Sequence, residues 1–181
     1  MSNSNIYMQM ITERGPVLGE GLLEGFEGSI ELKEFNWGMH VLKDPGEASA
    51  LNKAKSLVGL GKPITVKLEP LEFVKRFDVG SMQMHLALDR HWKIISTSIT
   101  VLHIKPVGAL GVAMHQPGFV LLCTDGYFSE ISLDLAQDGN MTELVETCKL
   151  NFKNINMTYL KKVDNVVAPT APFFYPKITP F

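Results

Sequence analysis

Apolar residues recur at every second position along most of this chain, and a period of two confines it to β structure. Ile6, Met8 and Met10 share one face of a first strand. A turn-rich stretch follows at Gly15, Pro16 and Gly19 and continues through Gly21, Gly25 and Gly28. The alternation resumes over residues 30–39, and again over 64–77, 93–105, 119–123, 127–135 and 144–160. Extended segments with little helix between them predict a mainly β fold.

Three of these segments change phase partway along. Ile30 and Leu32 lie on one parity, Phe35, Trp37 and Met39 on the other. Ile64, Val66 and Leu68 switch at Pro70 to Leu71, Phe73 and Phe77, and Cys148, Leu150 and Phe152 switch to Ile155, Met157 and Tyr159. A one-residue offset needs either a β-bulge or a strand whose two halves bury opposite faces, and both devices let long strands coil into a barrel. An apolar second face needs a cover, and in a one-domain protein a neighbouring subunit supplies it. The pattern therefore predicts an oligomer.

Two stretches read as helix. Asp78-Val79-Gly80-Ser81 precedes residues 82–90, where Met82 with Leu86 and Met84 with Leu88 are four apart; Asp78 and Ser81 are both candidate N-caps. Asp44-Pro45-Gly46-Glu47, followed by Leu51, Ala54 and Val58, has a helix start too, although so short a helix persists only if its apolar stripe docks. From about residue 164 the periodicity ends. Pro169, Pro172, Pro176 and Pro180 deny the tail a helix or a central strand, while Phe173, Phe174, Tyr175 and Phe181 make it too apolar to stay solvated. It is expected to lie extended against its own barrel or a neighbour's.

At 181 residues the length fits one domain, divided here into a globular part at 1–165 and a Pro- and aromatic-rich tail at 166–181. Lys and Arg total 17 against 19 for Asp and Glu, so the net charge is −2 and no basic excess exists to bind nucleic acid. No run reaches the roughly 18 apolar residues of a membrane helix. The first ten residues, MSNSNIYMQM, lack the basic start and apolar segment of an export signal. Cys123 and Cys148 sit in strand patterns and read as free, buried thiols of a reducing compartment.

No catalytic constellation emerges. The five histidines, His40, His85, His91, His103 and His115, form no H-x-x-x-H pair that would set two imidazoles on one helix face, so no metal site is expected. Nothing in the spacing joins Asp78, His85 and Cys123 into a cysteine nucleophile with its base. The glycines from 15 to 28 lack phosphate-loop spacing and serve as turn residues. No enzyme and no cofactor are expected.

Four segments nevertheless resemble the haemolysin-coregulated protein (Hcp) family of type VI secretion: Met8 with the Gly19-Glu20 turn; IELKEFNWGM at 30–39; LEFVKRFDVGSMQMHLAL at 71–88; and ELVETCKLNFKNINMTY at 143–159. The last is the most specific, combining Glu146, Leu150-Asn151-Phe152, Ile155 and Tyr159. The resemblance spans about residues 5–160. It implies a compact antiparallel β-barrel of two sheets with one flanking helix, forming a hexameric ring that stacks into a tube. It also implies no catalysis; the chain would be driven out of the cell by a contractile sheath, behind a spike and with effectors, without a signal peptide. On that reading Ile155, Met157 and Tyr159 are candidate interface residues, and Asn36 and Glu34, opposite Phe35 and Trp37, are candidate lumen-facing binding residues. Three features depart from the family: Asp89-Arg90-His91 stands where glycine is usual, 43–63 is a variable insert, and the tail is an addition. A phage-type tail-tube protein would share the architecture. A small-molecule-binding barrel would need polar residues converging inside, where this sequence places Ile, Leu, Phe, Trp and Val.

Overall fold

A computed structural model describes residues 5–41, 66–107, 112–138, 141–163, 166–170 and 172–176. In chain order the elements are β1 (Ile6–Thr12), β2 (Gly15–Val17), β3 (Ile30–Asn36), β4 (Met39–Val41), β5 (Val66–Leu68), β6 (Leu71–Arg76), α1 (Ser81–Asp89), β7 (Ile94–Val107), β8 (Val112–Asp138), β9 (Met141–Val163), β10 (Val166–Pro169) and β11 (Phe173–Tyr175). The main sheet runs β10-β9-β6-β3-β1-β7-β8, with β2 beside β1 and β11 beside β9. Because β8 also pairs with β9, the path returns on itself around one core. A separate two-stranded ribbon, β4–β5, is the second sheet. The insert 43–63, with the helical reading from Asp44 to Val58, lies outside the described residues, as does Phe181.

Each phase switch has its own physical answer. In β3 the register steps from Leu32 opposite Lys75 to Glu34 opposite Val74, so Lys33 is an inserted residue. That bulge returns Phe35 and Trp37 to the side of Ile30 and Leu32, where both pack on the core. Along 64–77 the chain breaks at Glu69 and Pro70: β5 leaves for the ribbon, and only β6 continues in the main sheet. Where β8 and β9 switch, their register runs unbroken from Leu121 opposite Met157 to Phe128 opposite Leu150. Asp125, at φ 61°, turns the two strands together so that their opposite faces follow a single core. Tyr127 therefore starts no new strand, and residues 119–123 and 127–135 belong to one 27-residue strand.

The core is filled by Met8, Met10, Ile30, Leu32, Leu71, Phe73, Ile99, Leu121, Cys148, Leu150 and Ile155, all at most 2% exposed. Met84 and Ala87 of α1 close it at one end. Phe77, which alternation groups with Leu71 and Phe73, lies instead past the end of β6 and is 38% exposed.

The tail completes the sheet. β10 folds back on β9, and β11 sets Phe173 opposite Met157 and Tyr175 opposite Ile155. Phe173 and Tyr175 pack on the core, and the Tyr175 hydroxyl donates to the Val66 carbonyl at 3.1 Å. A chain ending at Asn165 is expected to lose about 2–3 kcal/mol in urea unfolding, the worth of the apolar surface it uncovers. Unchanged stability would mean that the docked tail contributes nothing.

Candidate functional site

The chemically richest cluster lies where β6, β9 and α1 meet. Inward positions of β6 run Leu71, Phe73, Lys75, and those of β9 run Leu150, Cys148, Glu146, so a lysine and a glutamate occupy core positions directly opposite each other. Both are 0% exposed. Lys75 Nζ reaches four acceptors: the Arg76 carbonyl at 2.7 Å, and Ser81 Oγ, Glu146 Oε2 and Asp78 Oδ1 at 2.8 Å each. Ser81 donates to Glu146 Oε2 at 2.6 Å and accepts from the Asp78 amide at 2.9 Å, while His85 Nε2 meets Glu146 Oε1 at 2.8 Å. Burial pushes the Glu146 carboxyl upward, but hydrogen bonds from Lys75, Ser81 and His85 outweigh it and hold the group below its ordinary value.

This network fixes how α1 begins and sits. Asp78 and Ser81 are drawn to Lys75, so neither caps the helix as the sequence predicts; the N-cap is Gly80, whose amide donates to Asp78 Oδ1 at 2.9 Å. A Cβ at Gly80 would stand 2.8 Å from the Leu18 carbonyl, which leaves no room for a side chain there. The helix ends with Trp92 N–H donating to Ala87 O at 2.8 Å and His91 to Leu88 O at 3.2 Å, the paired bonds of a Schellman motif. His91 holds the left-handed conformation, φ 51°, which a glycine would adopt at lower cost.

The cluster is an anchor. Its lysine and glutamate are closed to solvent and bonded to the other members, while the His85 side chain is 32% exposed. Sequence reasoning missed it although a signal was present: Lys75 and Glu146 each continue an apolar alternation at its inward parity.

Asp78 and His85 belong to this network, whereas Cys123 lies in the core on β8, and its thiol, like that of Cys148, is pushed up to about 12 by burial. Neither cysteine is bridged. Alkylation of the native protein at pH 8 is expected to label neither thiol, and alkylation in denaturant both; fast native labelling would contradict their burial. Among the described residues no group of three or more His, Cys, Asp or Glu is placed to hold a metal ion, and no helix is long and apolar enough to cross a membrane.

The remaining candidate residues are spread over the sheet. Glu34 and Asn36 are exposed on β3, and Asn36 edges a shallow pocket of about 410 Å³ with Trp37, Pro70, Glu72 and Lys149. Tyr159 is 52% exposed, and Met157 is half-buried against the core beside Phe173. Ile155, 2% exposed, fills the core of its own chain and has no surface to offer a neighbour. The inference that the second half of this strand faces outward fails there because the bend at Asp125 keeps both halves on one core.

Comparison of the sequence with curated proteins gives no match. Solved structures share the fold at low identity. Hcp1 of E. coli EAEC 042, in a double-mutant form, superposes with a TM-score of 0.64 at 17% identity, covering 92% of this chain and 98% of that one. Hcp1 from Salmonella typhimurium gives 0.59 at 16%, covering 91% and 92%, and the secreted protein Hcp3 from Pseudomonas aeruginosa 0.57 at 16%, covering 91% and 95%. The family profile described as "Type VI secretion system effector, Hcp" matches residues 7–159, all the strands from β1 through most of β9, and the chain belongs to that family.

Proposed function

We propose that this chain is a structural subunit of the inner tube of a type VI secretion system, closing into hexameric rings that stack and leave the cell when the sheath contracts. The observation that carries the reading is the family match over 7–159 on a sheet whose interior is packed with apolar side chains, leaving the outer surfaces to do the work. Partners are further copies of the chain, the spike, the sheath and the effectors; no catalytic step is assigned. Asn36 and Glu34 face the lumen in this reading and meet cargo, while Tyr159 and Met157 lie toward a neighbouring subunit.

The test is the purified protein on electron-microscope grids and in size-exclusion chromatography with light scattering. Six-subunit rings are the expected result. A monomer at every concentration and salt tried would overturn the ring. A phage-type tail tube would give rings too, and is separated from this reading by whether the protein reaches the medium only when the secretion sheath is intact.

A further inference from the structure

One row of side chains crosses four strands on the outer face of the main sheet. Asn36 on β3 stands opposite Glu72 on β6, Glu72 opposite Lys149 on β9, and Lys149 opposite Glu130 on β8. The row thus sets one ammonium between two carboxylates, and cross-strand pairing can satisfy only one of them fully. Lys149 turns to Glu130, with Nζ 2.9 Å from Oε2. Glu72 is half-buried and, among the described residues, takes part in no hydrogen bond or ion pair. A carboxylate held partly out of water without a counter-ion is unfavourable, and a cation brought to it from outside would relieve that cost.

A second observation concerns the same place. Glu72 borders the pocket of about 410 Å³, to which Trp37 and Pro70 give an apolar wall and Glu69 a further carboxylate. That volume lies within the range of ligand sites. His40 Nδ1 is 2.6 Å from Glu69 Oε1 and steadies that side chain beside the opening. Asn36, exposed at the edge, adds an amide that can both donate to and accept from a peptide backbone. An apolar wall, an unanswered carboxylate and a backbone-binding amide together suit a long side chain that is flat, cationic and attached to a peptide.

We propose that the pocket between Trp37, Pro70 and Glu72 binds an arginine side chain of another protein. Arginine fits better than lysine because its planar guanidinium lies flat on an apolar or aromatic wall while its fork of donors serves a carboxylate with two bonds at once. Glu72 is the principal acceptor and Glu69 the second. The inference rests on the tube reading for the source of the arginine, a protein carried in the tube, and adds the chemistry that selects it: cargo with an exposed arginine in an extended segment is held in preference to cargo without one.

Calorimetric titration of the full chain with a capped Ser-Gly-Arg-Gly-Ser peptide tests it, against the same peptide with citrulline, which keeps the shape and loses the charge, or with glutamate at the centre. The arginine peptide is expected to bind, and to bind about tenfold less well when citrulline replaces arginine or when the protein carries Glu72→Gln. That variant keeps the size of the side chain and breaks no ion pair, so its melting by circular dichroism is expected to match wild type. Equal affinity for the arginine and citrulline peptides, equal affinity of wild type and Glu72→Gln, tighter binding of the glutamate peptide, or no binding of any peptide at millimolar concentration would each overturn the site. The same samples are viewed on electron-microscope grids. Rings without arginine binding would overturn the site and leave the tube reading standing, while arginine binding by protein that forms no rings would support the site and overturn the ring.

Discussion

Replacing Lys75 by methionine is expected to lower the unfolding free energy by about 3–5 kcal/mol, read as a shift of the urea midpoint at constant slope. The loss comes less from the missing ammonium than from what it leaves behind. Glu146 and Asp78 would keep their positions at 0 and 9% side-chain exposure, with Ser81 and His85 left as the donors to Glu146 among the described residues. The double variant Lys75→Met with Glu146→Leu is expected to recover part of the loss, since removing both charges leaves no carboxylate stranded on β9. A single Lys75→Met variant as stable as the wild type would mean that the network does not hold α1.

The same carboxylate sets a pH dependence whose sign follows from its partners. Glu146 is held below its ordinary value of 4.5 in the folded chain. Its contribution is therefore present in full above about pH 4.5 and is lost as pH falls from there through the depressed folded value. Glu146→Gln should flatten the acid limb of the stability profile in that window while leaving the alkaline limb unchanged.

How much of this was legible in the sequence depends on what periodicity can record. Alternation marks which side chains of a strand are buried, so β1, β3, β6, β7 and most of β9 could be read directly, as could the helix from the pairs Met82 with Leu86 and Met84 with Leu88. It does not say what buries them. The phase switch in β3 and the one in β9 look alike as strings of residues. One is a bulge at Lys33, while the other is a bend at Asp125 without any inserted residue. Residues 119–123 and 127–135 read as two strands; the structure makes them one, with Asp125 at φ 61° bending the ladder between them. The pairing of Lys75 with Glu146 escaped notice for the opposite reason. Each is a charged residue at an apolar parity, and only the pairing of β6 with β9, some seventy residues apart in sequence, brings them opposite each other.

Ile155 makes the difference between parity and surroundings measurable. Ile155→Asp is expected to unfold the chain, with a loss above about 4 kcal/mol, because the new carboxylate would sit at 2% exposure among Leu121, Cys123 and Met157 with no charged partner prepared for it. Tyr159→Asp, four residues further along the same strand at 52% exposure, is expected to leave the urea midpoint within about 0.5 kcal/mol of wild type. Both variants are to be followed by circular dichroism and by size-exclusion chromatography, because both observables move in the first case and only assembly has reason to move in the second. Loss of rings in Ile155→Asp would then be a consequence of unfolding. Should that variant fold with wild-type stability and lose only its assembly, Ile155 must face a neighbour, and the bend at Asp125 cannot be turning both halves of the strand onto one core.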